Sequence, residues 1–399
     1  MLRVGVGAHR LIPDEAARLG QRVLVVSDPR CVRIPEVAVV VGELRRRASA
    51  FDLFTDIPGE PTTDEVSKGL EALRRIAADV VVGIGGGSVL DTAKAVAAMA
   101  TNPGTIADYM GRDKLVHRRQ PLVLAPTTAG TGSEATRYTV ITATLSRHQR
   151  PPQEDEPEAA TTGTGSGTAQ PSEPQHGEPS TKMLITDWTL LPDAAVVDPL
   201  LVVGSPPPVT AAAGVDALTH AIEAYVSQRR QPTADLFALG ALRQLYPYLR
   251  RAFQDGSDLE ARAQTAIGAL HAGIAFCNAS VALVHGMSRP IGARFHVPHG
   301  LANSMLLPAV TAWSLPGAPD RYRDVAAALG LAAAETLPEA LARLSRDLGI
   351  PRLGEVVEPA QLRRVAPQMA RDALASGSPQ NNPRVPSESE IVELYERCL

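Results

Sequence analysis

A hydrophobic segment that runs directly into three consecutive glycines restricts the fold of this chain more than any other feature. Residues 79–84, DVVVGI, have the β-branched composition of a strand buried on both faces. Before them, residues 63–78 carry apolar side chains at helical spacing, and residues 22–29 form an earlier strand-like run that ends in Asp-Pro. Strand, helix and strand in this order predict a parallel α/β sheet.

The glycine loop predicts a ligand-binding turn. Glycines let the backbone approach a ligand closely, N–H groups at a helix start bind phosphate, and doubly wound sheets bind ligands at the carboxyl ends of their strands. Ser88 and Asp91 also have the spacing of a capping box for the next helix. A plain glycine turn between strand and helix is the alternative. The candidate residues are Gly85, Gly86, Gly87, Ser88 and Asp91.

A further strand, residues 121–125, leads into a similar loop. Residues 126–134, PTTAGTGSE, combine glycines with small hydroxylated residues, and Thr131 with Glu134 has the spacing of another capping box. Two such loops on neighbouring strands predict a cradle for the pyrophosphate of a dinucleotide. Asp28 ends the earlier strand, where an acid can accept the ribose hydroxyls of NAD and repel the 2′-phosphate of NADP. An aspartate before proline is also a common turn former, so both interpretations stay open.

The chain is predicted to consist of two domains, the first of them interrupted by an insertion. Residues 146–181 contain Pro-Pro, an acidic cluster and a Thr/Gly/Ser run, with almost nothing that could enter a core. We predict a disordered insertion in a surface hairpin between residues 138–142 and 183–185. Toward the C-terminus, Ala- and Leu-rich amphipathic helices replace the strands. We therefore predict an α/β domain over residues 1–192 and a helical domain over residues 193–399.

The helical half contains a candidate metal site. Asp216 and His220 lie four residues apart, so both side chains leave the same face of a helix. With His285 and His299 they would supply one carboxylate and three imidazoles, a set suited to Fe(II) or Zn(II). The alternative is a helix-surface hydrogen bond followed by ordinary turn histidines. If both the loops and the ligands are interpreted correctly, the active site lies in the cleft between the two domains.

Charge and cysteine content favour small-molecule chemistry. A net charge of −4 and a pI near 6.2, without any lysine- or arginine-rich block, argue against nucleic acid or an anionic membrane as a partner. The three cysteines, Cys31, Cys277 and Cys398, are far apart, which suits a reducing compartment. The N-terminus has no leader-like apolar region and no run reaches the length of a membrane span, so a cytoplasmic protein is expected.

Five motifs in order resemble those of the iron-containing (group III) alcohol dehydrogenase family. The resemblance runs from about residue 20 to the C-terminus, apart from the insertion. It implies an N-terminal Rossmann-like domain that binds NAD(P), an all-α C-terminal domain, a divalent metal that is usually iron, and a homo-oligomer. This architecture is shared with dehydroquinate synthase. The motifs are residues 85–94, 126–134, 216–223, 285–287 and 298–300.

For individual residues, the resemblance implies roles in metal and cofactor binding. The implied reaction is hydride transfer between a carbinol carbon and the nicotinamide ring, with the metal as a Lewis acid on the substrate oxygen. Lys182 is implied to lie near the nicotinamide ribose. The implied metal ligands are Asp216, His220, His285 and His299, the pyrophosphate loop is Gly85, Gly86, Gly87 and Ser88, and the other cofactor contacts are Asp28, Thr127, Thr128 and Thr131.

One departure from the family pattern concerns the proton relay. Many members carry a second histidine four residues after the His285 position, whereas this chain has Arg289, which stays protonated and cannot act as a base. We hypothesise that the proton leaves through water, the cofactor ribose, His296 or His271. A structural role for either histidine is the simpler interpretation.

Arg289, together with Arg137, is also a candidate for binding an anionic group of the substrate, because a guanidinium suits carboxylates and phosphonates. An arginine paired with a carboxylate between the domains is the alternative. The predicted function is a metal-dependent, NAD(P)-linked alcohol dehydrogenase or aldehyde reductase for a small alcohol or aldehyde, which in this hypothesis carries a carboxylate or phosphonate. The competing predictions are a glycerol or maleylacetate-type reductase, and an inactive nucleotide-binding relative that acts as an interaction protein.

Overall fold

The structure, a computed structural model, describes residues 1–144 and 180–399. The predicted insertion at 146–181 therefore lies outside the described residues, except for its last two positions. The described strands are β1 (Leu2–Val4), β2 (Arg22–Val26), β3 (Ala50–Phe54), β4 (Val80–Gly85), β5 (Gly111–Arg112), β6 (Leu122–Pro126), β7 (Tyr138–Thr144), β8 (Ser180–Thr186) and β9 (Ala194–Val197).

Most helices follow the last strand. They are α1 (Ile12–Leu19), α2 (Pro35–Arg47), α3 (Thr63–Arg75), α4 (Gly87–Met99), α5 (Pro199–Val202), α6 (Pro207–Val226), α7 (Pro232–Gln254), α8 (Leu259–Ala279), α9 (Leu283–Phe295), α10 (His299–Ser314), α11 (Pro319–Ala328), α12 (Leu337–Asp347), α13 (Leu353–Val356), α14 (Pro359–Ala375) and α15 (Glu388–Arg397).

Six of the described strands form the predicted parallel sheet, in the order β1-β9-β6-β4-β2-β3. β4 lies near the centre and is buried along its whole length, as a strand covered by helices on both faces must be. Helices α3 and α4 pack on one face, and α1 and α2 pack on the other. Because Gly85 pairs with Pro126 at the ends of β4 and β6, the two glycine-containing loops begin side by side.

The two predicted capping boxes do not form. Helix α4 begins at Gly87 and its N-cap residue, Gly86, has no side chain to accept a bond, so Ser88 lies inside the first turn. The Asp91 carboxylate instead accepts from the Ser133 hydroxyl at 2.6 Å and from the backbone N–H of Val140 at 2.9 Å. In the second loop, a short 3-10 helix starts after Gly132, which is in the left-handed region and offers no side-chain cap. Tertiary contacts therefore override the local capping pattern.

The predicted hairpin is confirmed on both sides of the insertion. β7 and β8 pair antiparallel, with Thr142 opposite Lys182, and β5 extends this small sheet. The hairpin therefore carries Lys182 on a strand that belongs to the α/β half.

The helical half begins later than the boundary predicted at residue 192. β9 lies inside the six-stranded sheet between β1 and β6, so the α/β half extends through Val197. From α5 onward the described chain is helical, and α6 is its central helix, buried along nearly all of its length among α7, α8 and α10. A Cβ at Gly214 of α6 would lie 2.2 Å from the side chain of Leu249 on α7, so a larger residue here would force Leu249 to move.

Within the described residues, no single helix is both long and apolar enough to cross a membrane. Helices α8 and α9 meet the length and composition requirement only as a pair, and they are bent by 102° relative to each other. Both contribute many buried residues to the core of the helical half, which accounts for their apolar composition.

Candidate active site

Helices α6 and α9 bring three of the predicted ligands together. The ligand atoms of Asp216, His220 and His285 all lie within 4.8 Å of one another, and all three residues are buried. His285 Nε2 is 3.6 Å from Asp216 Oδ1. The i, i+4 spacing on α6 places Asp216 and His220 on one face, and the start of α9 supplies His285 from the other side.

The fourth predicted ligand, His299, lies at the more open side of this group. It is the first residue of α10, and its Nε2 is 3.9 Å from Asp216 Oδ1. Its side chain is 39% exposed, whereas those of Asp216 and His285 are at most 4% exposed. A small molecule can therefore approach the group from the side of His299.

A residue that the sequence analysis did not assign, Glu223, holds His285 in place. Its Oε2 lies 2.6 Å from His285 Nδ1 and also accepts from the N–H of Ala282, and its Oε1 accepts from the N–H of Val284. A proton on Nδ1 leaves the lone pair of Nε2 directed at Asp216, an arrangement common to metal-binding histidines. Glu223 could have been found from its spacing, since it follows Asp216 by two helical turns.

Burial and charge set the ionisation of this group. Burial raises the pKa of the Asp216 carboxyl, but the neighbouring imidazoles, led by His220, hold it below its usual range. Burial lowers the pKa of His220 to about 4, so that imidazole is neutral. Burial also opposes the charged form of His285, but Glu223 and Asp216 raise its pKa to about 8. A carboxylate among imidazoles fits a borderline divalent ion, which would displace the Nε2 proton of the protonated His285 ring and leave the proton on Nδ1.

Asn303 is a second residue that the sequence analysis did not single out. One helical turn after His299, its Nδ2 lies 2.6 Å from Asp216 Oδ1 and 3.1 Å from Nε2 of both His285 and His299. Its Oδ1 is buried and has no hydrogen-bond partner among the described residues. The signal in the sequence is again spacing, four residues after the histidine of the PHG motif.

Aromatic rings extend away from the ligand group. Phe276 stacks on His220 with ring centroids 4.1 Å apart, and Tyr138 stacks on Phe276 at 5.6 Å. The guanidinium of Arg137 lies over Tyr138 and over the exposed Trp188, at 5.5 and 4.2 Å from the ring centroids. Arg137 is thus at the far end of this aromatic wall, separated from His220 by two rings.

Arg289 lies one turn after His285 on the same helix. Its Nη1 donates to the Ser378 hydroxyl at 3.0 Å, and within residues 1–144 and 180–399 it forms no ion pair with a carboxylate. Burial lowers its pKa, while negative charge at Glu223 opposes that effect. The interpretation of Arg289 as half of an ion pair between domains is therefore not supported by its contacts.

The two histidines proposed for the proton relay lie elsewhere. His271 Nδ1 is 2.9 Å from Oε1 of Gln244, and its ring packs on Phe237 of α7. His296 is exposed and ends α9 in the left-handed region, with φ of 54°. In the described chain neither ring forms a hydrogen bond or ring contact with the ligand group, which agrees with the simpler, structural interpretation of both.

The two predicted cofactor loops meet at the carboxyl edge of the sheet. The N–H of Thr127 donates to the carbonyl of Gly85 at 2.9 Å. A Cβ at Gly87 would lie 2.7 Å from the side chain of Thr131, and one at Gly86 would face Thr128 at 3.6 Å. Gly86 therefore borders a narrow gap between the loops, next to the start of α4 where Ser88 lies. Asp91 is engaged behind the loop by Ser133 and Val140, so it supports the loop rather than lining it.

Asp28 acts as a turn former at the end of β2. Its Oδ1 accepts from the N–H groups of Arg30 and Cys31, and its Oδ2 is 2.9 Å from Cys31 Sγ. Cys31 Sγ is also 3.2 Å from Thr127 Oγ1, which links the ends of β2 and β6. The carboxylate remains partly exposed at the same edge as the glycine loops. Lys182 pairs with Glu60 at 2.6 Å, and its Nζ would lie 3.4 Å from a Cβ at Gly292 of α9, so the hairpin reaches the helical half.

Comparison with known proteins identifies the family. Residues 1–155 match the family profile described as iron-containing alcohol dehydrogenase, and residues 210–399 match that of the Fe-containing alcohol dehydrogenase family, C-terminal. The chain is 35% identical to 1,3-propanediol dehydrogenase of Citrobacter freundii over 394 residues, which are 95% of this chain and 92% of that protein. The chain belongs to the iron-containing alcohol dehydrogenase family. It is also 37% identical to long-chain-alcohol dehydrogenase 1 of Geobacillus thermodenitrificans, over 88% of this chain and 82% of that one.

Solved structures agree with this membership. A 1,3-propanediol oxidoreductase superposes with a TM-score of 0.87 at 33% identity, covering 100% of this chain and 98% of that one. Sulfoacetaldehyde reductase from Bifidobacterium kashiwanohense, in complex with NAD+, superposes with a TM-score of 0.84 at 26% identity, covering 100% and 96%. The predicted family, the fold of an α/β domain followed by an all-helical domain, and the class of NAD-dependent oxidoreductase are confirmed. The roles of individual ligand and cofactor residues stay predictions.

Proposed function

We propose that this member of the family is a metal-dependent, NAD(P)-linked alcohol dehydrogenase or aldehyde reductase whose small substrate carries a carboxylate or a phosphonate. The observation that carries the reaction type is the buried group of Asp216, His220 and His285, open on the side of His299. The anionic substrate is proposed from the environment of Arg289.

The four ligand residues would hold Fe(II), with Zn(II) as the alternative. A divalent ion at this position supplies Lewis-acid chemistry toward the substrate oxygen while hydride is exchanged with nicotinamide. Glu223 keeps a proton on His285 Nδ1 and so keeps Nε2 available. Asp216 contributes the negative charge that compensates part of the charge of a cation.

The two glycine-containing loops would hold the dinucleotide. The N–H groups of the first turn of α4, which has no side-chain cap among the described residues, suit its pyrophosphate, and Gly86 leaves room for close approach. Asp28 places a carboxylate at the end of β2, which favours NAD because it would repel the 2′-phosphate of NADP. Lys182 reaches toward α9 from the hairpin and is the candidate contact to the nicotinamide ribose.

Three observations support an anionic substrate. Arg289 lies one turn from His285 and has a hydroxyl, Ser378, rather than a carboxylate as its hydrogen-bond partner. The carboxylate oxygens of Glu223 are already engaged by His285 and two backbone N–H groups. A guanidinium left with a neutral partner can bind a planar or tetrahedral oxyanion through its remaining N–H groups. One relative of known structure is named as a reductase of sulfoacetaldehyde, an aldehyde that carries a tetrahedral anion.

Metal analysis combined with a matched aldehyde panel tests this proposal. Anaerobically purified protein should contain about one Fe or Zn per chain and oxidise NADH only in the metal-loaded form. Within the panel, succinic semialdehyde should be reduced more efficiently than pentanal, and phosphonoacetaldehyde more efficiently than butanal. Equal efficiency within both pairs would contradict the proposal of an anionic substrate but not the proposed dehydrogenase activity. Absence of turnover with reconstituted protein would contradict the proposed dehydrogenase activity itself.

A further inference from the structure

The carboxamide of Asn303 lies in the middle of the ligand group without being one of the family's four ligands. The residue is fully buried, and its amide nitrogen lies 2.6 Å from Asp216 Oδ1 and 3.1 Å from the Nε2 atoms of His285 and His299. An amide nitrogen has two hydrogens, so it cannot donate to all three of these atoms at once. The same atoms that would bind a cation therefore surround a hydrogen-bond donor.

The oxygen of the same carboxamide is in the opposite situation. Asn303 Oδ1 is buried and accepts no hydrogen bond from the described residues. A buried acceptor without a partner is unfavourable, because it has given up its hydrogen bonds to water and gained none in the protein. Rotating the carboxamide by half a turn exchanges its oxygen and nitrogen with almost no change in shape, so the choice between the two orientations depends on the surrounding charges.

We propose that Asn303 is a further ligand residue of the metal site, whose carboxamide turns its Oδ1 toward the ion when the ion binds. The inference rests on the proposed metal site. Without an ion, the amide N–H groups of Asn303 compensate the charge of Asp216. With an ion, N–H groups in this orientation would face a positive charge, whereas the amide oxygen has lone pairs that can be directed at the ion. The side chain thus holds the ligand group together in both states.

Metal binding by three proteins tests the role of the amide oxygen. Metal-free wild type, Asn303→Leu and Asn303→Asp are titrated with Co(II) and with Zn(II) against a chromophoric chelator, and the visible spectrum of the Co(II) forms is recorded. Leucine keeps the volume and removes both polar atoms, whereas aspartate keeps an oxygen ligand and removes the N–H donors. Ser304→Ala is the matched control, because Ser304 is the next residue of α10, is equally buried, and donates to the backbone carbonyl of Gly300.

The expected result is a weaker site in only one variant. Asn303→Leu should lower the affinity for both ions by roughly 10- to 100-fold, the usual effect of removing a group that directly supports a metal site, and should change the Co(II) spectrum. Asn303→Asp and Ser304→Ala should bind as tightly as the wild type or, for aspartate, more tightly. An unchanged affinity and spectrum in Asn303→Leu would overturn the proposal, and so would equal weakening by leucine and aspartate, which would assign Asn303 to N–H donation alone.

A structure of the ion-loaded wild type provides a check that does not depend on any variant folding. The amide oxygen of Asn303 within coordinating distance of the ion would support the proposal, and an amide nitrogen that still donates to Asp216 would overturn it. Failure of the wild type to bind either ion would contradict the proposed function instead, so the two failures are distinguishable.

Discussion

At the scale of single residues, one buried carboxylate fixes the geometry of the ligand group. Glu223 accepts from His285 Nδ1 and from the N–H groups of Ala282 and Val284, which are free because they stand at the start of α9. The same side chain therefore sets the tautomer of His285 and joins α6 to α9. Removing Glu223 would release both the imidazole and the helix end, so its effect on a bound ion would be indirect but large.

Arg289 permits a prediction about substrate charge. In Arg289→Gln, kcat/KM for the anionic aldehydes should fall by roughly 10- to 100-fold, since a hydrogen bond to a charged group is worth about 1.5–3 kcal/mol. The values for pentanal and butanal should stay within about threefold of the wild type. Steady-state kinetics with the four aldehydes measure both effects.

A matched arginine on the same helix controls for a general loss of positive charge. Arg294 is on α9, exposed, and paired with Asp372 at 3.1 Å. Arg294→Gln should leave both aldehyde classes unaffected. If Arg289→Gln reduced turnover of neutral and anionic aldehydes by the same factor, Arg289 would support the fold of the site rather than select the substrate.

Spacing in the sequence was sufficient to find residues on one helix but not those that depend on how helices meet. The i, i+4 pair of Asp216 and His220 follows directly from helix geometry. Asn303 follows His299 at the same spacing, but the spacing alone does not show its role, because its contact with Asp216 depends on how α10 packs against α6. His271 was also a candidate relay in the sequence, but its ring contacts Gln244 and Phe237 of α7 rather than the ligand group.

At the scale of elements, the strands and helices around the glycine loops could be predicted, whereas their caps could not. β4 and α4 follow from hydrophobicity and glycine content, but Asp91 caps nothing, because Ser133 and Val140 of the neighbouring loop and strand take its oxygens. The insertion separates β8 from β7 in the sequence, which interrupts the alternation of strands and helices. The apolar residues after the insertion nevertheless predicted the hairpin. Local patterns thus defined the elements, and tertiary contacts decided the polar details.

Gly86 provides a test of the cofactor loop. Its φ of −72° and ψ of −179° are accessible to alanine, and an added Cβ would meet only the Thr128 side chain, at an ordinary 3.6 Å. Gly86→Ala should therefore fold normally but fill part of the gap between the loops, which weakens NADH binding by roughly tenfold, or about 1.4 kcal/mol. Fluorescence titration with NADH and thermal denaturation measure the two properties.

Gly42→Ala on α2 is the control for the loop variant, because nothing lies within 4 Å of its added Cβ. It should leave NADH affinity unchanged and raise stability by up to about 1 kcal/mol, because alanine is favoured over glycine inside an exposed helix. An unaltered dissociation constant for NADH in Gly86→Ala would show that the gap does not receive the cofactor.

Two buried titratable side chains behind the loops, Glu134 and Lys94, predict how stability depends on pH. Burial raises the pKa of Glu134 to about 7, although Lys94 opposes the shift, and burial lowers the pKa of Lys94 to about 8. The folded protein thus holds a proton on Glu134 that the unfolded chain loses near the ordinary glutamate pKa of 4.5. Each pH unit between these two values should reduce the free energy of unfolding by about 1.4 kcal/mol, with no further loss from this group above pH 7.

Glu134→Gln isolates this contribution, since glutamine resembles the protonated side chain. Urea denaturation of wild type and variant from pH 4.5 to 8 should show the wild type losing stability relative to Glu134→Gln as the pH rises to about 7, and a constant difference thereafter. Glu71→Gln, on the exposed side of α3, controls for the loss of one negative charge. A difference between wild type and Glu134→Gln that grows toward acid pH would have the wrong sign for a buried, protonated glutamate.

At the scale of the whole molecule, the ligand group and the cofactor loops belong to different halves of the chain. Direct backbone contacts between the halves fix the position of one relative to the other. The predicted ligand residues lie on α6, α9 and α10, whereas the predicted cofactor contacts follow β2, β4 and β6. A Cβ at Gly130 would lie 2.6 Å from Ala213 of α6, so the second loop touches the helix that carries Asp216. The sequence predicted two halves and a site between them, but not this glycine contact, because nothing local distinguishes it from a turn.

Gly273 tests whether the relative position of the two halves matters for catalysis. Gly132 of the second loop packs directly on Gly273 of α8, and an added Cβ at Gly273 would lie 3.0 Å from Gly132 Cα and 3.1 Å from its carbonyl oxygen, so the loop backbone must move. In Gly273→Ala each half keeps its own residues, and the affinities for Zn(II) and NADH should stay within about threefold. Because hydride transfer needs both halves in position, kcat should fall by roughly 10- to 100-fold, which is the usual effect of a small misplacement of reacting groups.

Gly240→Ala on α7 is the control, because the nearest atom to its added Cβ is His271 Nδ1, at 3.6 Å. It should retain wild-type kcat. A normal kcat in Gly273→Ala would mean that catalysis tolerates movement between the two halves. If NADH affinity fell by the same factor as kcat, the substitution would have altered the cofactor loop alone, and the relative position of the halves would not explain the loss.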